Sequence, residues 1–216
     1  MRSSSPSWRR TRRRGEHARR RAGMLVAAGS GYSRWLNIMR LLQQRGLVDL
    51  VYPEFFDDKD LLVARRWSAY LRKLRRLENE VKVTVWPDYC YDERLRDRFN
   101  VEWVFPLHSK KELGFALKVA DYIGFPNRDD LRDYGIAWFI EQKRRYGFKA
   151  WLLGLKPRYL RGGVLQYFDA CDLTGMSLPG YCFSKWSNLK NLETWEGFVR
   201  QIKAMKTVEL DLWLKG

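Results

Sequence analysis

From Met24 onward, short apolar runs alternate with longer stretches of helical periodicity. The apolar runs fall at 24–28, 48–52, 82–86, 102–106, 121–125, 149–153, 165–169 and 207–213. Most are continuous rather than alternating, as expected of strands buried on both faces. The stretch 32–45 sets Trp35, Ile38, Met39 and Leu42 on one side of a helix, with Gly46 in C-cap position. Residues 58–79 are basic and carry Leu61, Leu62, Trp67, Tyr70, Leu71 and Leu74 at helical spacing. Ser109 with Glu112 three residues later predicts a capping box for a helix over 109–119. A helix over 129–146 would open on paired Asp and close on Lys143-Arg144-Arg145, matching the dipole at both ends. A last helix is expected over 191–205. Strand and helix alternating in this way predict an α/β fold, a TIM-like (β/α)8 barrel. The gaps 89–100 and 154–164 leave room for only one or two helical turns, so a reduced or irregular barrel is expected. An open doubly wound sheet is the runner-up.

The chain has 216 residues and a net charge of +16. Residues 1–23 hold nine Arg and one Glu, which is half of that excess. They offer little to bury, so they read as a disordered basic arm ahead of a single barrel domain over 24–216. Such an arm either neutralises phosphates or is an extension ahead of a start at Met24. Cys90, Cys171 and Cys182 form an odd set without CxxC spacing, which suggests free thiols and no ordinary four-ligand zinc site. No apolar run approaches the roughly 20 residues of a membrane span. The expectation is therefore a soluble, cytoplasmic protein without a metal or organic cofactor and without a membrane partner.

In a parallel barrel the chemistry sits at the carboxyl ends of the strands. Apolar runs here end at Asp88, His108 and Asp169, with Asp172 three residues further on. A carboxylate in that mouth can act as nucleophile, as acid or base, or as acceptor for a base edge; Asp directly after a strand is also a common helix cap. His108 reads as a substrate contact or a polar loop residue. Lys156-Pro157-Arg158 reads as a phosphate grip or a solvated turn. Trp86, Tyr89, Phe105 and Phe125 read as stacking platforms for a base or as rim packing. Arg72 and Arg76 belong to a basic helix that either tracks a nucleic-acid backbone or faces water.

Four segments carry a resemblance. They are "VTVWPDYCYD", "VEWVFPLHS" with the later "ADYIGFPNR", "FKAWLLGLKPRYL" and "LQYFDACDLTG". In this order, from about Val81 to Gly175, they resemble the tRNA-guanine transglycosylase superfamily. The likeness is greatest to its shorter branch, which includes enzymes that insert 7-deazaguanines into DNA. The resemblance implies a guanine-exchanging enzyme acting on tRNA or DNA, with nucleic acid and a guanine-like base as partners. It puts Asp169 on the nucleophile position and Asp88 on the base-recognition position. Gly124 and Gly154 fall on pocket glycines, and Asp172 on a second Asp of the short branch. His108 and Tyr89 would join the base pocket, and Lys156, Arg158, Arg72 and Arg76 the nucleic-acid track. The sequence also departs from the family. The early D-S-G-G-F/Y-Q element is absent, and "VDLVYPEFFDD" lies roughly there, offering Glu54, Asp57 or Asp58 instead. The zinc-binding Cys/His cluster is missing, and one loop reads "GFPN" where the family has "GG". The alternative reading is a catalytically inactive barrel that binds nucleic acid through its basic surface.

Overall fold

A computed structural model describes residues 23–156, 158–159, 163–173 and 192–204, the side chains of 32–34 excepted. Eight parallel strands form one sheet in the order β2-β1-β8-β7-β6-β5-β4-β3. They are β1 (Leu25–Ala28), β2 (Leu50–Val51), β3 (Phe55–Phe56), β4 (Val83–Val85), β5 (Glu102–Pro106), β6 (Tyr122–Pro126), β7 (Lys149–Leu153) and β8 (Ala170–Leu173). The two ends of that order are halves of one stretch of chain, interrupted by Tyr52-Pro53-Glu54. The Tyr52 amide still donates to the Ala28 carbonyl, and the Glu54 carbonyl accepts from Lys82 and Val83. The stretch therefore touches β1 on one side and β4 on the other and closes the ring. The fold is a TIM-like α/β barrel with an irregular stave.

Seven α-helices lie among the described residues: α1 (Leu36–Gln44), α2 (Lys59–Val63), α3 (Trp67–Leu77), α4 (Leu95–Arg98), α5 (Leu113–Val119), α6 (Ile136–Tyr146) and α7 (Leu192–Ala204). Several follow the sequence pattern closely. The Ser109–Glu112 capping box is present with both reciprocal bonds. Gly46 takes φ of 70° just past α1, a conformation that Gly adopts without a Cβ penalty. Lys143, Arg144 and Arg145 occupy the last turn of α6.

Three expectations need correction. The helix expected over 58–79 is two helices, because Arg65 takes φ of 52° and breaks the chain between α2 and α3. The paired Asp at 129–130 begin a 3-10 turn, and α6 starts only at Ile136 with Gly135 as its N-cap. The run 165–169 is not a strand. Residues Val164–Tyr167 form a 3-10 turn, and the strand is Ala170–Leu173. The run 207–213 and the basic arm up to residue 22 lie outside the described residues.

Side-chain parity divides the barrel into an interior and an outer layer. Trp151 of β7 stacks on Phe55 of β3 with centroids 4.9 Å apart, although these strands are not neighbours in the sheet. That contact crosses the interior. Tyr122 packs edge-on to the same indole. The alternate residues face outward: Phe125 meets Phe139 of α6, Phe56 meets Tyr70 of α3, and Trp86 meets Phe115 of α5. Strands as short as two residues need such help. The Tyr70 hydroxyl, fully buried, lies 3.1 Å from the Phe56 carbonyl, 2.8 Å from Thr84 Oγ1 and 2.9 Å from the Val85 carbonyl.

Candidate active site at the barrel mouth

Asp172 is the third residue of β8, and it points inward with its neighbours Ala27 of β1 and Trp151 of β7. Its Oδ1 accepts from Trp151 Nε1 at 3.0 Å and from the Gly154 amide at 2.9 Å. Gly154 turns away from β7 with φ of 75°, so the chain folds back and presents its amide to the carboxylate. Asp172 is 3% exposed. Burial raises its pKa to about 6; Lys59 opposes the rise, and the negative charge of Asp57 adds to it.

Asp57 follows β3 at the same end of the barrel. Its Oδ1 accepts from the Ser30 amide at 2.6 Å. A Cβ on Gly29 would lie 2.4 Å from its Oδ2, so only glycine lets the carboxylate settle against the end of β1. Asp57 is 3% exposed, and its buried Oδ2 has no hydrogen-bond partner. Lys59, the first residue of α2, holds its ammonium 3.6 Å from that oxygen. Burial works against the ammonium, but the charges of Asp172 and Asp57 raise its pKa above the ordinary value. Two buried carboxylates, 115 positions apart in the chain, thus share one lysine at the mouth.

A second cluster occupies the rim after β4 and β5. His108 Nε2 lies 3.0 Å from Asp88 Oδ1, and Nδ1 lies 3.0 Å from the Leu131 carbonyl. Both partners are acceptors, an arrangement that suits the ring when both nitrogens carry protons. Burial opposes that charge, but the Asp88 bond, the Asp88 charge and the Leu131 carbonyl outweigh it and raise the His108 pKa. Tyr89 stacks on His108 at 5.1 Å, and the Arg65 guanidinium covers Tyr89 at 5.1 Å. Tyr89 and Arg65 both have positive φ, 58° and 52°. Non-Gly residues in that region tend to gather where function requires strain.

No protein-family model matches the chain. Over 140 residues the chain is 35% identical to a protein of Acidianus two-tailed virus called "Uncharacterized protein ORF192". The match spans 61% of this chain and 71% of the viral protein. The chain belongs to the family of that viral protein. The relative's name states no activity, so the chemistry of this family has to be argued from the barrel mouth.

The expected residues sort unequally against this geometry. Asp169 is displaced: it precedes β8 and sits at the amino-terminal face, where its Oδ2 accepts from the Ala150 amide at 2.8 Å and pairs with Lys143. It cannot share a mouth pocket with Asp88, because the two lie at opposite ends of the staves. In barrels that opposite face serves stability. The side of Gly124 is not an open pocket either. A Cβ there would meet Leu153 Cδ1 at 2.5 Å, so Leu153 already fills the space. Gly154 does border the site, through its amide to Asp172. Asp88, His108 and Tyr89 come together, but Asp88 is engaged by the His108 ring. Arg158 pairs with Asp129 beside the mouth, and Lys156 is near enough to lower the Asp129 pKa. Arg72 and Arg76 are exposed on α3. Lys59 escaped the sequence reading; the only signal was its position two residues beyond the run that ends in Phe55-Phe56-Asp57. Among the described residues no three His, Cys, Asp or Glu side chains gather as metal ligands, and no helix is long and apolar enough to cross a membrane.

Proposed function

We propose that the chain is a base-exchanging transglycosylase that acts on a guanine nucleotide of tRNA or DNA, with Asp172 rather than Asp169 as the attacking carboxylate. The observation that carries this reading is the pairing of two buried carboxylates, Asp172 and Asp57, around Lys59 at the carboxyl ends of β8 and β3. A desolvated carboxylate is poorly stabilised in its ground state and gains by forming a neutral ester. Asp172 Oδ1 is fixed by Trp151 and Gly154, which aims the group. Its attack on C1′ would displace the base and leave a glycosyl ester, splitting one hard step into two. Asp57, whose Oδ2 faces Lys59 at 3.6 Å, would pass the proton to or from the base, and Lys59 would stabilise whichever carboxylate is ionised. The four ordered segments that resemble guanine transglycosylases support the choice of base.

Exchange of labelled guanine into tRNA and into DNA tests it. Asp172→Asn should lower the rate at least ~1,000-fold, as loss of a nucleophile does, and abolish the covalent adduct. Asp169→Asn should keep forming the adduct. An adduct that persists in a folded Asp172→Asn protein overturns the assignment.

A second reading is an inactive barrel that binds nucleic acid. The packing of Leu153 over Gly124 and the engagement of Asp88 by His108 favour it. Nucleic-acid binding by the unaltered chain, with no exchange on either substrate, would select it.

A further inference from the structure

A cavity of about 330 Å³ opens at the end of β6, between the residues that follow β7 and the start of α6. Phe125, Ile136, Tyr159 and Val164 give it apolar walls, and Arg132, Arg158 and Asp129 supply the charge. Arg132 is built in rather than loose. Its side chain is 4% exposed. It donates from Nε to the Pro126 carbonyl at 2.8 Å and from Nη1 to the Tyr134 carbonyl at 2.6 Å, with its plane 4.1 Å above the Phe125 ring. Its remaining nitrogen bonds Asp129. Arg158 grips the same carboxylate with both terminal nitrogens, at 2.7 and 2.8 Å, and lies 4.8 Å over Tyr159.

Asp129 therefore sits in a two-arginine fork shaped for an oxyanion, although its own side chain is 64% exposed. The two carboxylates of Asp129 and Asp130 do not neutralise Arg128, Arg132, Arg158 and Lys156. At the cavity edge α6 begins at Gly135, which brings no capping side chain, and helix starts favour anions. The volume is far larger than a carboxylate and falls in the range of small-ligand sites.

We propose that this cavity binds the phosphate group of a nucleotide, which displaces the Asp129 carboxylate from the guanidinium of Arg158 while Arg132 stays fixed. Arg158 also donates to the Asn127 carbonyl at 3.2 Å, Asn127 Nδ2 donates to the Gly154 carbonyl at 2.8 Å, and the Gly154 amide holds Asp172. A chain of hydrogen bonds through one asparagine and one glycine thus links the phosphate site to the carboxylate site. Its assignment to the substrate of the same reaction rests on the transglycosylase reading, whereas anion binding rests on the cavity itself.

The test is calorimetric titration of the full chain at constant ionic strength with inorganic phosphate, with guanosine 5′-monophosphate and with a short single-stranded oligonucleotide lacking terminal phosphates. Arg158→Gln should weaken phosphate binding by at least ~10-fold, as loss of a charged bidentate partner does. Asp129→Asn should tighten it by removing the internal competitor, and Asp172→Asn should leave it unchanged. Loss on Arg158→Gln confined to the monophosphate assigns a terminal phosphate, and the same loss with the oligonucleotide assigns an internal one. Phosphate binding that Arg158→Gln leaves intact, or that Asp129→Asn fails to tighten, overturns the proposal. Because Asp172→Asn separates exchange from phosphate binding, failure of either reading is recognised without the other.

Discussion

The charged residues at the barrel mouth are held at a cost that can be measured. The Asp172 carboxyl is raised to about 6 by burial, above an unfolded value of ~3.9. A raised carboxyl binds its proton more tightly in the folded state, so stability falls as pH rises from about 4 through 6. Asp172→Asn keeps an oxygen for Trp151 and Gly154 while removing the charge. It should therefore be more stable than the unaltered protein at pH 7, by up to ~3 kcal/mol, with the difference vanishing below about pH 4. Urea denaturation at pH 4 and pH 7 measures this. His108 has the same sense, in a higher pH window. Its pKa is raised above 6.5 in the folded protein, so its contribution is complete below 6.5 and fades as pH climbs through the folded value. In Asp88→Asn the His108 ring should titrate at lower pH than in the unaltered chain, read from its NMR ring-proton shifts. A titration midpoint that does not move would mean that protonation of His108 does not depend on Asp88.

At the scale of elements, the weak point is the stave made of β2 and β3, two residues each. Tyr70 of α3 ties β3 to β4 from outside through one buried hydroxyl near two carbonyls and a threonine. Removing that hydroxyl strands at least one buried acceptor. Tyr70→Phe should therefore cost ~1–3 kcal/mol, seen as a lower urea midpoint with an unchanged slope. The same element explains why α2 and α3 are separate. Arg65 turns the chain so that Asp58 can cap α2 and pair with Lys73 of α3 at 2.5 Å. Periodicity alone runs through this break, because the leucines on either side keep their spacing.

For the whole molecule, half of the +16 charge lies in residues 1–23. If nucleic acid is the partner, removing those residues should reduce the steepness with which affinity falls against salt, since each phosphate contact contributes a slope of about 0.7 to 0.9. A chain starting at Met24 that binds with an undiminished salt slope would show that the arm takes no part. The sequence by itself determined the alternation of buried strands and amphipathic helices, the capping box at Ser109, the basic end of α6 and hence the barrel class, because these depend on residues near one another in the chain. Only the tertiary structure decided which acid faces which end of a strand. Asp169 and Asp172 are three residues apart, yet the start of β8 at Ala170 sends one to the lower face and the other into the mouth. Nothing local distinguishes them: the apolar run before Asp169 reads as a strand, but it forms a turn that packs Phe168 against α6. The electrostatic coupling of Asp57 with Asp172 depends likewise on ring closure through the kinked stave, and links residues more than a hundred positions apart that no spacing in the sequence encodes.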